Sequence, residues 1–181
     1  DGSLIIDASH SLSGGQTTHR GTVRNLFELA LTAHTESLFG FQGGTLQVMF
    51  QNHAGTNGST LVGDLQGFSN IDADGRTQVS GFWYEQLFED ELWRLRIGKM
   101  DANNQFAFVE HGLVFLNSSM GVSPTIFAMP TYPDPSFGIS LFREPDAGFY
   151  AGLGLFDGSG ARGIPTGSRG LELLVRGSDL F

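Results

Sequence analysis

The sequence predicts an all-β fold of antiparallel strands, and three observations carry that expectation. Apolar and polar side chains alternate with a period of two over segments about ten residues long. Glycine supplies 26 and phenylalanine 16 of the 181 residues, while only 16% are charged. Glycine is poor inside helices and aromatic rings pack well on a pleated surface, so this mix favours strands over helices. Clusters of Gly, Asp, Asn and Pro punctuate the alternating segments and supply the turns.

The segments follow in order. In Arg24 to His34, Phe27, Leu29, Leu31 and Ala33 oppose Glu28, Ala30, Thr32 and His34. In Thr45 to His53, Leu46, Val48 and Phe50 share one face; Thr45, Gln47, Gln51 and His53 share the other, where Met49 is the exception. A strand-like run covers Gln78 to Phe88. Leu92 to Met100 puts Trp93, Leu95 and Ile97 on one face, ending in Lys99, with Arg94, Arg96 and Gly98 opposite. Further runs cover Phe137 to Arg143 and Phe149 to Phe156. Near the end, Leu171, Leu173 and Val175 oppose Gly170, Glu172, Leu174 and Arg176. Glu89-Asp90-Glu91 is placed to close a hairpin, as is Glu144 to Gly148, and longer connections are expected at Ala54 to Gly58 and Asp157 to Ser168. No linker divides the chain, so residues 1–181 read as a single β-domain.

Composition excludes several classes of function. The net charge is -9 and the ten Lys and Arg are scattered, which disfavours a nucleic-acid partner because phosphate needs clustered cations. There is no cysteine, hence no disulfide and no Cys-ligated zinc. The five His are too dispersed for an H-x-x-x-H zinc pattern, and no metal or cofactor is expected. Asp72-Ala73-Asp74-Gly75 hints at a calcium loop but lacks the later ligands, so a turn is the better reading. No apolar run of about 18 residues is present to form a transmembrane helix, a test that a β-barrel escapes. Asp1-Gly2-Ser3 does not open a signal peptide, and the chain is read as mature or truncated material.

Catalysis finds little support. A glycosidase needs two positioned carboxylates, but in Glu85 with Glu89, or Asp90 with Glu91, the candidates fall at a turn tip. There is no G-x-S-x-G elbow, and Gly152-x-Gly154 is too short for a dinucleotide fingerprint. The expectation is a protein that is not an enzyme.

Periodicity alone leaves two architectures open. A secreted carbohydrate-binding β-sandwich would point its apolar faces into a core. A membrane barrel inverts the order, with apolar side chains in lipid and polar ones around water.

Several stretches resemble the carbohydrate-selective porin family, the OprB type. They are Gly43-Gly44-Thr45, the run Gly63-Asp64-Leu65-Gln66-Gly67-Phe68-Ser69-Asn70-Ile71-Asp72-Ala73, Trp83-Tyr84-Glu85-Gln86, and Leu95-Arg96-Ile97-Gly98-Lys99-Met100-Asp101. Gln105-Phe106-Ala107, Phe115 to Gly121 with Pro124-Thr125, and Asp157-Gly158 follow in the family's order, over roughly residues 4 to 160. The resemblance implies an antiparallel up-and-down transmembrane β-barrel of 16 strands in the bacterial outer membrane, with a narrow lumen for small sugars. The chain carries about eight or nine strands, so it reads as the N-terminal half of such a barrel, incomplete at its C-terminus. On that reading Glu28, Gln47, Gln51, Arg94, Arg96, Glu172 and Arg176 line the lumen. The family's constriction is implied to carry Arg, acidic and aromatic residues, which maps Arg96, Glu85 and Trp83 onto it. The implied partners are small sugars, monosaccharides first, and outer-membrane lipid; a homo-oligomer is compatible with this reading.

Overall fold

A computed structural model describes residues 1–64, 67–88, 90–117, 129–143 and 150–169. Among these lie seven strands: β1 (Gly2–Ser11), β2 (Arg20–His34), β3 (Gly44–Gly55), β4 (Arg76–Phe88), β5 (Trp93–Met100), β6 (Ser136–Arg143) and β7 (Ala151–Phe156). They form one sheet in the order β1-β2-β3-β4-β5-β6-β7, with every neighbouring pair antiparallel. Each strand therefore pairs with its neighbours in sequence, which is the up-and-down order of a meander or barrel. Three short helices interrupt the connections: α1 (Thr35–Phe39), α2 (Ser59–Val62) and α3 (Asn103–Phe106).

This order sorts the connections into two ends. Residues 35–43, 89–92 and 144–150 join strands at one end, and 12–19, 56–75 and 101–135 join them at the other. The turn expected at Glu89 to Glu91 is where β4 meets β5, with Phe88 opposite Trp93. Asp90 and Glu91 have φ of 53° and 70°, the left-handed geometry that a tight hairpin demands.

The two faces of the sheet settle the choice that periodicity left open. The registers put Leu4, Phe27, Phe50, Phe82, Ile97, Ile139 and Leu155 on one face, and all are exposed. The opposite face carries Thr22, Arg24, Gln51, His53, Gln78 and Ser140, and all are buried. A soluble sandwich would bury its large apolar side chains, because that burial drives folding in water. Here the apolar face is outside, as the lipid-facing side of a membrane barrel requires. Met49 shares the polar face, because it lies opposite Ala30, between the Gln47–Thr32 and Gln51–Glu28 pairs.

Three details differ from the sequence expectation. Strand β1 is added before the first expected run, and β3 extends to Gly55, so the connection after it spans 56–75 rather than 54–58. The described residues hold seven of the eight or nine strands expected, and the run from Leu171 to Val175 lies outside them. The Lys99 side chain does not end the apolar face. It is buried, and Nζ donates 2.6 Å to the Gly167 carbonyl. Gly98 has φ +136°, and a Cβ there would stand 2.6 Å from Trp83 Cα, so a glycine is required where the pleat breaks before Lys99.

Candidate functional site

The polar face of β2–β5 forms one wall of a cavity of about 790 Å³. The connections 56–75 and 101–135 form the opposite wall, through Asn57, Ser59, Asp72 and Asp74 from the first and Asp101, Asn103, Phe108 and Tyr132 from the second. The described parts of two long connections thus fold inward over the sheet instead of standing away from it.

Each is held by different chemistry. In the first, Arg24 of β2 is fully buried and its Nε lies 3.0 Å from Asp72 Oδ1. Asp72 also accepts from Gly58 N (2.9 Å), Ser69 N (2.8 Å) and Ser59 Oγ (3.0 Å), so one carboxylate gathers three points of the connection. Arg24 donates through Nη1 to Thr22 (2.9 Å) and Ser9 (3.3 Å), Asp7 stands 4.0 Å away, and Nε meets Asp72 as an ion pair without hydrogen-bond geometry. A buried ion pair persists only where such surrounding hydrogen bonds repay desolvation. Asp72 is therefore an ion-pair anchor, beyond the turn role expected of it. Among the described residues no cluster of His, Asp and Glu could hold a metal ion.

The second connection docks through an aromatic socket. The Phe106 ring of α3 sits 4.9 Å from Phe142 of β6 and 6.0 Å edge-on to Phe156 of β7. The facing residues of β7 are Gly152 and Gly154; a Cβ on Gly154 would lie 2.9 Å from the Phe106 ring. Met100, Ala102 and Phe156 form the buried apolar cluster beneath, with Trp83 and Met129 beside it. Asp101 ties the two limbs together, accepting from Tyr132 N (2.9 Å), Thr131 Oγ1 (3.1 Å) and Asn103 N (2.8 Å). Burial raises the Asp101 carboxyl above its usual range despite these donors, and burial likewise raises the Tyr132 phenol.

The residues singled out in the sequence divide into two groups on the wall. On β2 and β3, Glu28, Gln47 and Gln51 all line the cavity. Gln51 donates 2.7 Å to Glu28 and accepts 3.0 Å from Gln78, whose amide also donates 2.9 Å to the Pro133 carbonyl. On β4 and β5, Trp83 and Arg96 line the same cavity, with the Arg96 guanidinium 4.0 Å from the Trp83 ring centre. Glu85 and Arg94 are set behind them. Glu85 accepts from Arg96 Nε (2.8 Å) and Nη2 (2.5 Å) and pairs with Arg94 at 3.5 Å. Arg94 donates 2.8 Å to Gln105 and lies 4.7 Å over Phe142. Their place is to orient Arg96 and to hold α3. Glu172 and Arg176 lie outside the described residues.

Sequence reasoning missed Arg24, Asp101, Phe106 and Tyr132 as site-forming residues. The signal available for Arg24 was its parity, since it falls on the same face as Glu28, four residues on, and an arginine on a lumen face needs a counter-charge.

An antiparallel up-and-down sheet with apolar side chains outside and an ion-paired polar cavity inside is a section of a water-containing membrane β-barrel, the porin class. Residues 19–173 match the sequence profile of the carbohydrate-selective porin, OprB family, and the chain belongs to that family. It is a protein of the bacterial outer membrane. The fold is similar to the high-pH structure of Pseudomonas putida OprB, with a TM-score of 0.74 and 14% sequence identity over 92% of this chain. The chain spans 44% of that structure's length, so it corresponds to a partial barrel. No curated protein matches the sequence.

Proposed function

We propose that the protein containing this chain lets small sugars diffuse passively through a polar, water-filled lumen, and that the cavity between the sheet and the two inward connections is part of that path. The observation that carries this reading is the pairing of Arg96 with the Trp83 ring on the cavity wall. Sugar hydroxyls are neutral donors and acceptors, which suits a lining of Arg, Glu and Gln. The apolar C–H face of a pyranose suits an aromatic ring. Glu28, Gln47 and Gln51 on the facing part of the wall add acceptors and donors within the same space. No step requires a catalytic group, and monosaccharides are the solutes to try first.

Liposome swelling with the full-length protein tests this. Glucose is compared with a neutral amino acid of similar size. Faster entry of glucose is the expected result, and Arg96→Ala should then change the glucose rate more than the amino-acid rate. Equal entry of both solutes would reduce the protein to an unselective pore, and no entry of either would sink the reading.

A further inference from the structure

Arg24 does not line the cavity, and Asp72, which stands on the connection side of it, turns its carboxylate to Arg24, Gly58, Ser59 and Ser69 rather than to a sugar. Arg24 has no exposed surface, and the side chain of Asp72 is 2% exposed. Everything this pair touches belongs either to the wall (Ser9, Thr22) or to the connection 56–75 (Gly58, Ser59, Ser69). The connection is bonded in turn to the second one. Asn70 N donates 2.7 Å to the Leu116 carbonyl, Asn117 donates 3.1 Å to the Gly67 carbonyl, and the Tyr132 hydroxyl donates 3.0 Å to the Ile71 carbonyl. Position therefore passes from the wall to the 56–75 connection through the buried ion pair on β2 and through Ser69 on Asp7 of β1, and from there to 101–135.

We propose that the Arg24–Asp72 pair sets the size cut-off of the channel, as a positioning pair that keeps the 56–75 connection inside the lumen; this rests on the porin reading. Two physical points support it. A buried charge that loses its partner is strongly disfavoured, so either residue alone biases the connection away from its docked place. The bonds that would remain are those between the two connections, Ser69 to Asp7 on β1, the Leu61 carbonyl to Gln16 and Thr17, and Thr56 N to the Val23 carbonyl where β3 ends; none of them replaces the charge on β2. Releasing the pair widens the path without removing any group from the sugar-facing set of Glu28, Gln47, Gln51, Trp83 and Arg96.

The test uses the full-length protein in liposomes, with swelling rates for glucose, a disaccharide and a trisaccharide taken on each preparation. The ratio of trisaccharide to glucose cancels the number of channels inserted. Asp72→Asn removes one charge; the double variant Arg24→Met with Asp72→Asn removes both and leaves no orphan charge, so it should fold. The expected result is a trisaccharide-to-glucose ratio raised about tenfold in both variants. A wild-type ratio in folded variants would overturn the proposal while leaving the porin reading intact, because a purely structural pair changes stability and not the cut-off. Failure of the double variant to insert would overturn it as well, since the pair would then serve folding. A wild-type protein that passes no sugar would remove the porin reading itself.

Discussion

The two connections that close the cavity reach the same position by opposite means. Residues 56–75 are held by charge, through Asp72 on the buried Arg24. The described part of 101–135 is held by an aromatic ring, Phe106, lodged against Phe142, Phe156 and Gly154 of β7. The wall beneath each explains the difference. Under the first, β1 and β2 present Ser9, Thr22, Arg24 and Asp7, a surface that a carboxylate can dock on but an apolar side chain cannot. Under the second, β6 and β7 present Phe142, Phe156, Gly152 and Gly154, which leave space for a ring and offer no charge. A barrel wall that must stay wet in the middle can still anchor its inward segments, provided each anchor matches the local chemistry of the strands it meets. Charge fixes orientation; a socket fixes depth.

Mutations should separate the two anchors. The largest effect is expected for Arg24→Met, which leaves the Asp72 charge buried without its counter-charge and should cost about 3–5 kcal/mol. The denaturant midpoint for loss of the folded, heat-modifiable band in gels reports it. Because the pair is buried, added salt should change that midpoint little. A cost below about 1 kcal/mol would show that water reaches the pair, and the contrast with the aromatic anchor would weaken.

Phe106→Ala comes next, at about 3 kcal/mol, since it empties a socket that the glycines keep open. The same denaturation assay applies, and protease cleavage within 101–117 should rise while cleavage within 56–64 does not. Joint loosening of both connections would show that the hydrogen bonds between them, such as Tyr132 to Ile71, matter more than either anchor.

A pH profile gives a smaller, signed effect. Burial raises the folded-state pKa of Asp101 above its ordinary 3.8. A carboxyl raised on folding binds its proton more tightly when folded, so its favourable contribution is present at low pH and is lost as pH rises from 3.8 through the raised value. Stability of the wild type should fall relative to Asp101→Asn across that window. Parallel profiles for the two proteins would show that the three hydrogen-bond donors outweigh burial.

Asp134→Asn should have the smallest effect. Asp134 pairs with Arg76 at 2.9 Å, but both side chains are partly exposed, at 28% and 17%. Less than about 1 kcal/mol is expected, and it should shrink further in high salt.

Strand periodicity was legible because a pleated strand writes its two faces directly into alternate residues. Phe27, Leu29 and Leu31 against Glu28, Ala30 and Thr32 needed no tertiary information. The placement of Glu28, Gln47 and Gln51 on one face, and of Arg94 and Arg96 on one face of β5, followed from the same parity. The strand β1 was less legible, since Leu4, Ile5 and Ile6 are consecutive and blur the alternation. Lys99 was placed on the wrong side because a single glycine, Gly98, breaks the period locally.

By itself, then, the sequence determined an all-β chain with alternating faces, and its ordered motifs pointed to the family. Which face meets lipid is not contained in a period of two, because sandwich and barrel share that period. Only the tertiary structure decided it, by exposing Phe27, Ile97 and Leu155 and burying Arg24, Gln51 and Ser140. The anchors were likewise invisible in sequence. Arg24 and Asp72 are 48 positions apart (72 − 24), and Phe106 meets β7 across a long connection. Contacts between irregular segments and a wall depend on where the chain returns in space, and no local propensity records that.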